Sequence, residues 1–174
     1  MDTTEAMTFD RQPTLRGELV ELRPLDESDF APLFEIASDP LVWEQHPSKD
    51  RTLEPVFRAW FDDTLRSGGA LAVVDLADGR VIGTSRYHGY SADRSEIEIG
   101  WTVLARSHWG RGYNTEMKNL MLRHAFGFVK TVIFEIHSDN LRSQRAVEKL
   151  GAVFSGTKPD AQGRGENHIY RLET

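Results

Sequence analysis

The spacing of apolar residues changes along the chain and divides it into helices and strands. Residues 19–23 alternate apolar and polar side chains as a strand does, and Asp26 can cap a helix that runs to about Ser38. Asp39 precedes a proline and therefore ends this helix. A second helix begins after Thr52, where apolar residues recur at helical spacing. Its apolar stripe comprises Leu53, Val56, Phe57, Trp60, Phe61 and Leu65.

The rest of the chain continues this division. We predict strands at residues 70–76, 80–90, 95–103, 131–137, 153–156 and 168–172, and helices at residues 113–129 and 141–150. A turn at Asp78 and Gly79 joins the first two of these strands, which predicts an antiparallel meander. The strand, helix, strand order between Ser95 and His137 predicts one parallel pair.

This order of elements predicts an α+β fold in which about four helices pack on a mixed, mostly antiparallel central sheet. The chain has 174 residues, and 39% of them are hydrophobic. That length and composition suffice for one sizeable core, so we predict a single domain over residues 1–174.

The amino-acid composition and net charge exclude or disfavour several kinds of function. The chain has no cysteine, which excludes disulfides, zinc fingers and a thiol nucleophile. A net charge of −6 argues against general nucleic-acid binding. No apolar run approaches the roughly 20 residues of a membrane span, and residues 1–12 lack the apolar segment of a signal peptide. The six histidines show no metal-ligand spacing. We therefore expect a cytoplasmic protein that needs no metal.

One loop between a predicted strand and helix has the chemistry of an anion site. It reads Trp109-Gly110-Arg111-Gly112-Tyr113-Asn114-Thr115. Glycines let backbone N–H groups approach a ligand, and the helix N-terminus adds partial positive charge suited to phosphate. The loop lacks the Gly-Lys-Ser/Thr of a P-loop and the third glycine of a dinucleotide fingerprint, so a nucleotide kinase and a dehydrogenase lose support. A glycine-rich turn without a ligand is the alternative interpretation.

A second segment reads Asn-Leu-Arg-Ser-Gln-Arg-Ala-Val-Glu-Lys-Leu-Gly from Asn140 to Gly151. Asn140 can cap a helix and Gly151 can end it, so this segment alone is an ordinary amphipathic helix. Asn140 and Ser143 nevertheless share its exposed first turn, where polar groups can face a ligand.

Together the two segments resemble the signatures of the GNAT superfamily of N-acetyltransferases, and most closely those of the RimJ/RimL-type ribosomal-protein N-terminal acetyltransferases. The resemblance covers residues 19–172. It implies the GNAT fold and transfer of an acetyl group from acetyl-CoA to a primary amine, either a peptide N-terminus or a small molecule. A homodimer is left open. A non-catalytic acyl-CoA-binding or regulatory protein is the alternative, because Val147 stands where many members carry a tyrosine acid.

The resemblance also implies which residues bind the co-substrate. The pyrophosphate is expected on the N–H groups of residues 110–115, and the pantetheine arm on the backbone of residues 102–104, where the strand splays from its parallel neighbour. Trp109 and Asn114 depart from the residues that the wider superfamily prefers, but backbone contacts survive both changes. The expected cofactor-binding residues are Thr102, Val103, Leu104, Trp109, Gly110, Arg111, Gly112, Tyr113, Asn114, Thr115, Asn140, Ser143 and Arg145.

Three catalytic candidates follow from the same resemblance. Ser143 is expected to protonate the departing thiolate in place of the missing tyrosine. Glu98 is the favoured base, with Glu135 as a rival from a different branch of the superfamily and Glu96 on the same strand face as Glu98. Weak candidates for contact with the acceptor are Trp43, His46, Tyr87 and His88.

Overall fold

The computed structural model describes residues 8–174. Residues 1–7 lie outside the described residues. They include most of residues 1–12, the segment for which we predict no signal peptide. The strands are β1 (Leu15–Arg16), β2 (Val20–Pro24), β3 (Ala70–Asp75), β4 (Val81–Ser91), β5 (Glu96–Leu104), β6 (Thr131–His137), β7 (Val153–Pro159) and β8 (Glu166–Glu173). The α-helices are α1 (Phe30–Ala37), α2 (Glu54–Arg66), α3 (Tyr113–Ala125) and α4 (Leu141–Lys149).

The eight strands form one sheet in the order β1-β2-β3-β4-β5-β6-β8-β7. Only β5 and β6 pair in parallel, and the other neighbours are antiparallel. The predicted mixed α+β fold with four α-helices is therefore confirmed. The pattern missed the two-residue strand β1 and the short 3-10 helices, and it extended α3 past Ala125 because Val129, although outside the helix, is also buried.

Each face of the sheet carries one pair of helices. Met117 of α3 and Val147 of α4 share a buried cluster with Ile97 and Val132 of the sheet. Phe57 and Phe61 of α2, with Leu33 of α1, form a second cluster on the other face. The two buried faces explain why the central strands are apolar on both sides.

A bulge interrupts β5 next to β4. Thr84 pairs with Val103 and Arg86 pairs with Gly100, so two residues of β5 oppose one residue of β4. Trp101, inside this bulge, has a φ of 52°, in the left-handed region that non-glycine residues rarely adopt. Because of the extra residue, the two faces of β5 exchange after the bulge.

The parallel pair β5 and β6 is short. Its register runs only from Glu96 with Thr131 to Glu98 with Ile133. Beyond that point β5 continues beside β4, and β6 continues beside β8 as far as His137. The two strands diverge there, as expected for a strand that admits a pantetheine arm, and they leave an opening in the middle of the sheet.

Candidate active site

A cavity of about 610 Å³ occupies the opening between β5 and β6. Ile99 and Phe134, which line it, belong to the cluster under α3 and α4, whereas Trp43 and Val103 belong to the cluster under α1 and α2. The cavity thus reaches both faces of the sheet. A ligand within it can be held from one face and attacked from the other.

The glycine loop forms one wall of this cavity. Gly110 and Gly112 have φ values of 68° and 85°, which glycine adopts without strain. Gly112 is the N-cap of α3 and has no side chain to accept from the first N–H groups of the helix, which stay available to a ligand. The Trp109 indole N–H donates to the Leu104 carbonyl at 2.9 Å and fastens the loop to β5. Trp109 therefore has a structural role.

Most of the expected cofactor-binding residues line the cavity, and two do not. The Arg111 side chain donates to the Ser107 carbonyl at 3.0 Å. The Tyr113 ring is buried, and its hydroxyl donates to Asp75 at 3.3 Å. The Tyr113 side chain is therefore unavailable to a ligand, and the exposed Arg111 side chain lies outside the cavity lining. The lining residues of the expected set are Thr102, Val103, Leu104, Trp109, Gly110, Gly112, Asn114, Thr115, Asn140, Ser143 and Arg145.

The first turn of α4 lies across the cavity from the loop. Asn140 caps the helix, because its Oδ1 accepts from the Ser143 N–H at 3.3 Å, and its side-chain NH₂ has no partner among residues 8–174. The Ser143 hydroxyl likewise has no described partner and lines the cavity. The Arg142 guanidinium covers the Trp109 ring at 3.8 Å, so α4 and the loop support each other.

Three glutamates share the face of the sheet opposite α3, because their strand neighbours Ile97 and Phe134 are buried under that helix. Glu96 pairs with Arg94 at 3.3 Å. Glu135 lines the cavity. Its ion-pair and hydrogen-bond partners are Lys158 at 3.3 Å and Asn167 at 2.9 Å.

Glu98 differs from the other two glutamates. Its carboxylate forms no ion pair or hydrogen bond with any residue in the described range 8–174. Burial, and then the nearby charge of Glu135, raise its pKa from 4.5 to about 7. Its Oε1 lies 3.8 Å from where a Cβ on Gly100 would stand, and Gly100 lines the cavity. A carboxylate with these properties is suited to accept a proton at neutral pH.

Sequence reasoning missed a buried lysine beneath the bulge. Lys118 is 6% exposed and lines the cavity. Its ammonium contacts the hydroxyl of Thr102 and lies 3.4 Å from that of Ser85. Burial lowers its pKa from 10.5 to about 7, with no carboxylate to compensate. The signal was present in the sequence, since Lys118 falls on the apolar stripe of α3 with Met121 and Leu122.

Replacing Lys118 by methionine is expected to stabilise the fold at acidic pH. The lysine is charged in both the folded and the unfolded chain below pH 7, so its full desolvation penalty applies there. As the pH rises from about 7 to 10.5 the folded protein loses a proton that the unfolded chain keeps, and the penalty fades. We expect a gain of roughly 1–4 kcal/mol in the free energy of unfolding at pH 6.

Urea unfolding of Lys118→Met at several pH values measures this gain, with Lys130→Met on the exposed surface as control. A gain that stays constant from pH 6 to 10 would show that folding does not lower the pKa of Lys118, and it would contradict the prediction.

The segment between α1 and α2 forms the remaining wall. Trp43, His46 and Arg51 of this segment line the cavity, together with Trp60 of α2. Contact of Trp43 and His46 with the acceptor stays a prediction. Burial lowers the pKa of His46 to about 3, so its imidazole is neutral. Tyr87, by contrast, is 1% exposed and donates to the Met121 carbonyl at 2.6 Å. The expectation that Tyr87 contacts an acceptor was therefore wrong.

His88 is not among the residues that line the cavity either. Its side chain is exposed, and its ring lies 4.8 Å from that of Trp101. Within residues 8–174 no cluster of three or more histidine, aspartate or glutamate side chains is arranged to hold a metal ion. In the same range, no helix is long and apolar enough to cross a membrane.

Comparison with known proteins shows that other chains share this fold. A GCN5-related N-acetyltransferase from Brucella melitensis superposes with a TM-score of 0.83 at 23% identity, covering 93% of this chain and 79% of that one. An acetyltransferase from Agrobacterium tumefaciens gives 0.74 at 25% identity, covering 93% and 95%. A protein assigned as a ribosomal-protein-serine acetyltransferase from Vibrio cholerae gives 0.76 at 14% identity, covering 97% and 100%.

The family model described as an acetyltransferase (GNAT) domain matches residues 20–153. These residues include both the glycine loop and the Asn140 helix, the two segments that carried the resemblance. The chain therefore belongs to the GNAT acetyltransferase family.

Proposed function

We propose that this protein transfers the acetyl group of acetyl-CoA directly to a primary amine, with both substrates bound at once. The observation that carries the proposal is the cavity that crosses the sheet between β5 and β6. It joins a phosphate-type cradle to the face that holds Glu98, whose carboxylate does not itself line the cavity but lies 3.8 Å from the Cβ position of Gly100 in the cavity wall. An acyl transfer in a ternary complex needs both parts in one space.

The cradle suits the pyrophosphate of CoA. A Cβ built on Gly110 would meet no atom within 4 Å, and one built on Gly112 would lie 3.8 Å from its nearest neighbour. The loop is thus open where a phosphate would lie. The N–H groups at the start of α3 bind phosphate, and Arg145 lines the same cavity. The pantetheine arm then runs along the backbone of residues 102–104 at the bulge.

The acceptor amine approaches from the other face. Glu98 takes the proton as the amine attacks the thioester carbonyl, and backbone N–H groups of the bulge stabilise the oxyanion. The amine must be neutral to attack. At pH 7 this costs about 1 kcal/mol for an α-amino group and about 4.6 kcal/mol for a lysine. A base whose pKa is about 7 offsets part of either cost.

Ser143 passes a proton to the departing thiolate, either its own, which it regains from water, or one relayed from a bound water molecule. Its hydroxyl faces the cavity, whereas Val147, at the place of the usual tyrosine, carries no proton to give. Assignment of the whole chain to one domain, a cytoplasmic location and homodimer formation stay predictions.

Ser143→Ala is expected to lower turnover by about 10- to 100-fold, because one hydrogen bond to a developing charge contributes roughly 1.5–3 kcal/mol. The affinity for acetyl-CoA should change little, since the loop supplies most of the binding. Steady-state kinetics and calorimetry measure the two quantities, and Ser155→Ala on the exposed part of β7 is the control. Unchanged turnover would rule out the acid role.

Val147 also favours a second candidate, an acyl-CoA-binding or regulatory protein without catalysis, because it is 3% exposed and chemically inert. Calorimetry with CoA and acetyl-CoA, followed by thiol release with a panel of amines, separates the two. Binding with amine-dependent thiol release supports the transferase. Binding without release from any amine supports the regulatory protein, and absence of binding contradicts both.

A further inference from the structure

An arginine without an ion-pair partner faces the cavity from the segment between α1 and α2. Arg51 lies in the 3-10 helix Lys49–Thr52 and lines the cavity. Its guanidinium forms no ion pair within 4.0 Å among residues 8–174, and the one carboxylate whose charge acts on it there, Asp50, raises its pKa less than burial and Arg164 lower it. Burial, and then the charge of Arg164, lower its pKa to about 10, so it stays charged at neutral pH. A half-buried cation that lacks a counter-ion is costly unless a ligand supplies one.

Two aromatic rings hold the guanidinium in place. Its central carbon lies 5.3 Å from the ring centroid of Trp43 and 5.3 Å from that of Trp60. Such contacts orient an arginine but leave its N–H donors free, because those donors lie in the plane of the guanidinium. The donors of Arg51 make no hydrogen bond with the rest of the described chain. The rings therefore orient a cation toward the cavity whose side-chain N–H groups are free to bind a ligand.

The neighbouring groups do not neutralise this charge. His46 is uncharged, and its Nδ1 accepts from the Ser48 N–H at 2.9 Å. Asp160 is occupied by Arg164, whose Nε lies 3.1 Å from it. Glu135 lines the same cavity but pairs with Lys158. An anion for Arg51 therefore has to come from outside these residues.

The position of Arg51 relative to the sheet indicates which substrate brings that anion. The ring partners Trp43 and Trp60 belong to the core under α1 and α2. That is the face towards which Glu98 and Glu135 also point, since the neighbours of both glutamates are buried under α3 and α4. The glycine loop leads into α3 on the opposite face. Arg51 thus lies with the base, on the acceptor's side.

We infer that the acceptor carries a carboxylate as well as its amine, and that Arg51 binds this carboxylate while the amine lies toward Glu98. The inference rests on the proposed function and names its substrate class. A guanidinium matches a carboxylate in a bidentate geometry, which fixes the orientation of the acceptor as well as binding it. Purely cationic acceptors such as polyamines would meet repulsion from Arg51.

The test compares amino acids with their amides. Glycine, β-alanine and γ-aminobutyrate are each offered beside the corresponding primary amide, and thiol release from acetyl-CoA gives kcat/KM. The amine of an amide has a lower pKa than that of its acid, so each kcat/KM is expressed per neutral amine. On this basis we expect the preferred acid to exceed its amide by about 10- to 100-fold, the value of a charge-assisted pair. In Arg51→Met the ratio should fall to about one. Arg51→Lys should keep part of it, and Arg123→Met, on the exposed side of α3, should keep all of it.

The possible results separate a failure of carboxylate recognition by Arg51 from a failure of the proposed transferase function. If the wild-type protein acetylates amides as fast as acids, the inferred recognition of a carboxylate is wrong, but the proposed transferase function stands. Thiol release with none of the amines contradicts the transferase itself. A weaker affinity of Arg51→Met for CoA by calorimetry, with the acid-to-amide ratio unchanged, would assign Arg51 to a CoA phosphate and overturn the inference.

Discussion

Replacing Glu98 by glutamine is expected to lower turnover by about 100- to 10,000-fold, the usual contribution of a general base. Glutamine keeps the size of the side chain and removes its ability to accept the amine proton. Glu135→Gln is the matched control on the neighbouring strand, and it should cost far less because Glu135 is already paired with Lys158. Glu96→Gln, farther along β5, should have the smallest effect.

The pH dependence adds a second readout for Glu98. A base is active only when deprotonated, so a pKa of about 7 predicts a wild-type rate that falls as the pH drops below 7. Glu98→Gln should lose this acidic limb and keep only the dependence that comes from the acceptor amine. If the variant keeps both the rate and the limb, the base is not Glu98. If Glu135→Gln keeps them as well, positioning and solvent suffice for proton removal.

Replacing Gly112 by valine is expected to abolish binding of acetyl-CoA. Its φ of 85° strains any residue with a Cβ, and a branched one most. Apart from its chain neighbours, the nearest described atom to a Cβ at Gly112 is Cδ1 of Leu19, at 3.8 Å. A valine there meets no clash with the fold, and we expect its branched side chain to crowd the pyrophosphate in the loop. Calorimetric titration should show no heat of binding, while the variant stays folded.

A second glycine, Gly68, provides a control for the effect of backbone strain alone. Gly68 has a φ of 73° and open space around its Cβ position, and it lies at the end of α2, away from the cavity. Gly68→Val therefore carries similar strain without filling the site. We expect it to lose stability but to bind acetyl-CoA as wild type does. Equal loss of binding in both variants would mean that the strained fold, and not the occupied loop, prevents binding.

The loop and the α4 turn could be predicted because their chemistry is local. Gly110 and Gly112 take left-handed conformations within the loop itself, and Asn140 caps the helix that begins next to it. Even so, the role of Glu116, the residue that follows the loop in the first turn of α3, was not interpretable from sequence. The Glu116 carboxylate accepts from the N–H groups of residues 18–20 and ties α3 to the start of β2.

The bulge was beyond sequence reasoning, because residues 95–103 alternate as an uninterrupted strand. Tertiary contacts support the bulge. The Arg86 guanidinium lies 3.7 Å from the Trp101 ring centroid on one face, and Lys118 contacts Thr102 on the other. Neither partner is near in sequence. The sequence could not decide between Glu98 and Glu135 as the base for the same reason. Lys158, which pairs with Glu135, comes from the distant strand β7.

The central claim is that one acetyl group passes from acetyl-CoA to an amine inside this cavity. Its most direct test uses acetyl-CoA labelled with a heavy isotope in the acetyl group, together with the amine panel and the purified wild-type protein. Mass spectrometry should find the label in the acceptor, in an amount equal to the thiol released, and neither signal should appear with Gly112→Val. Binding of acetyl-CoA with no labelled acceptor for any amine would contradict the claim.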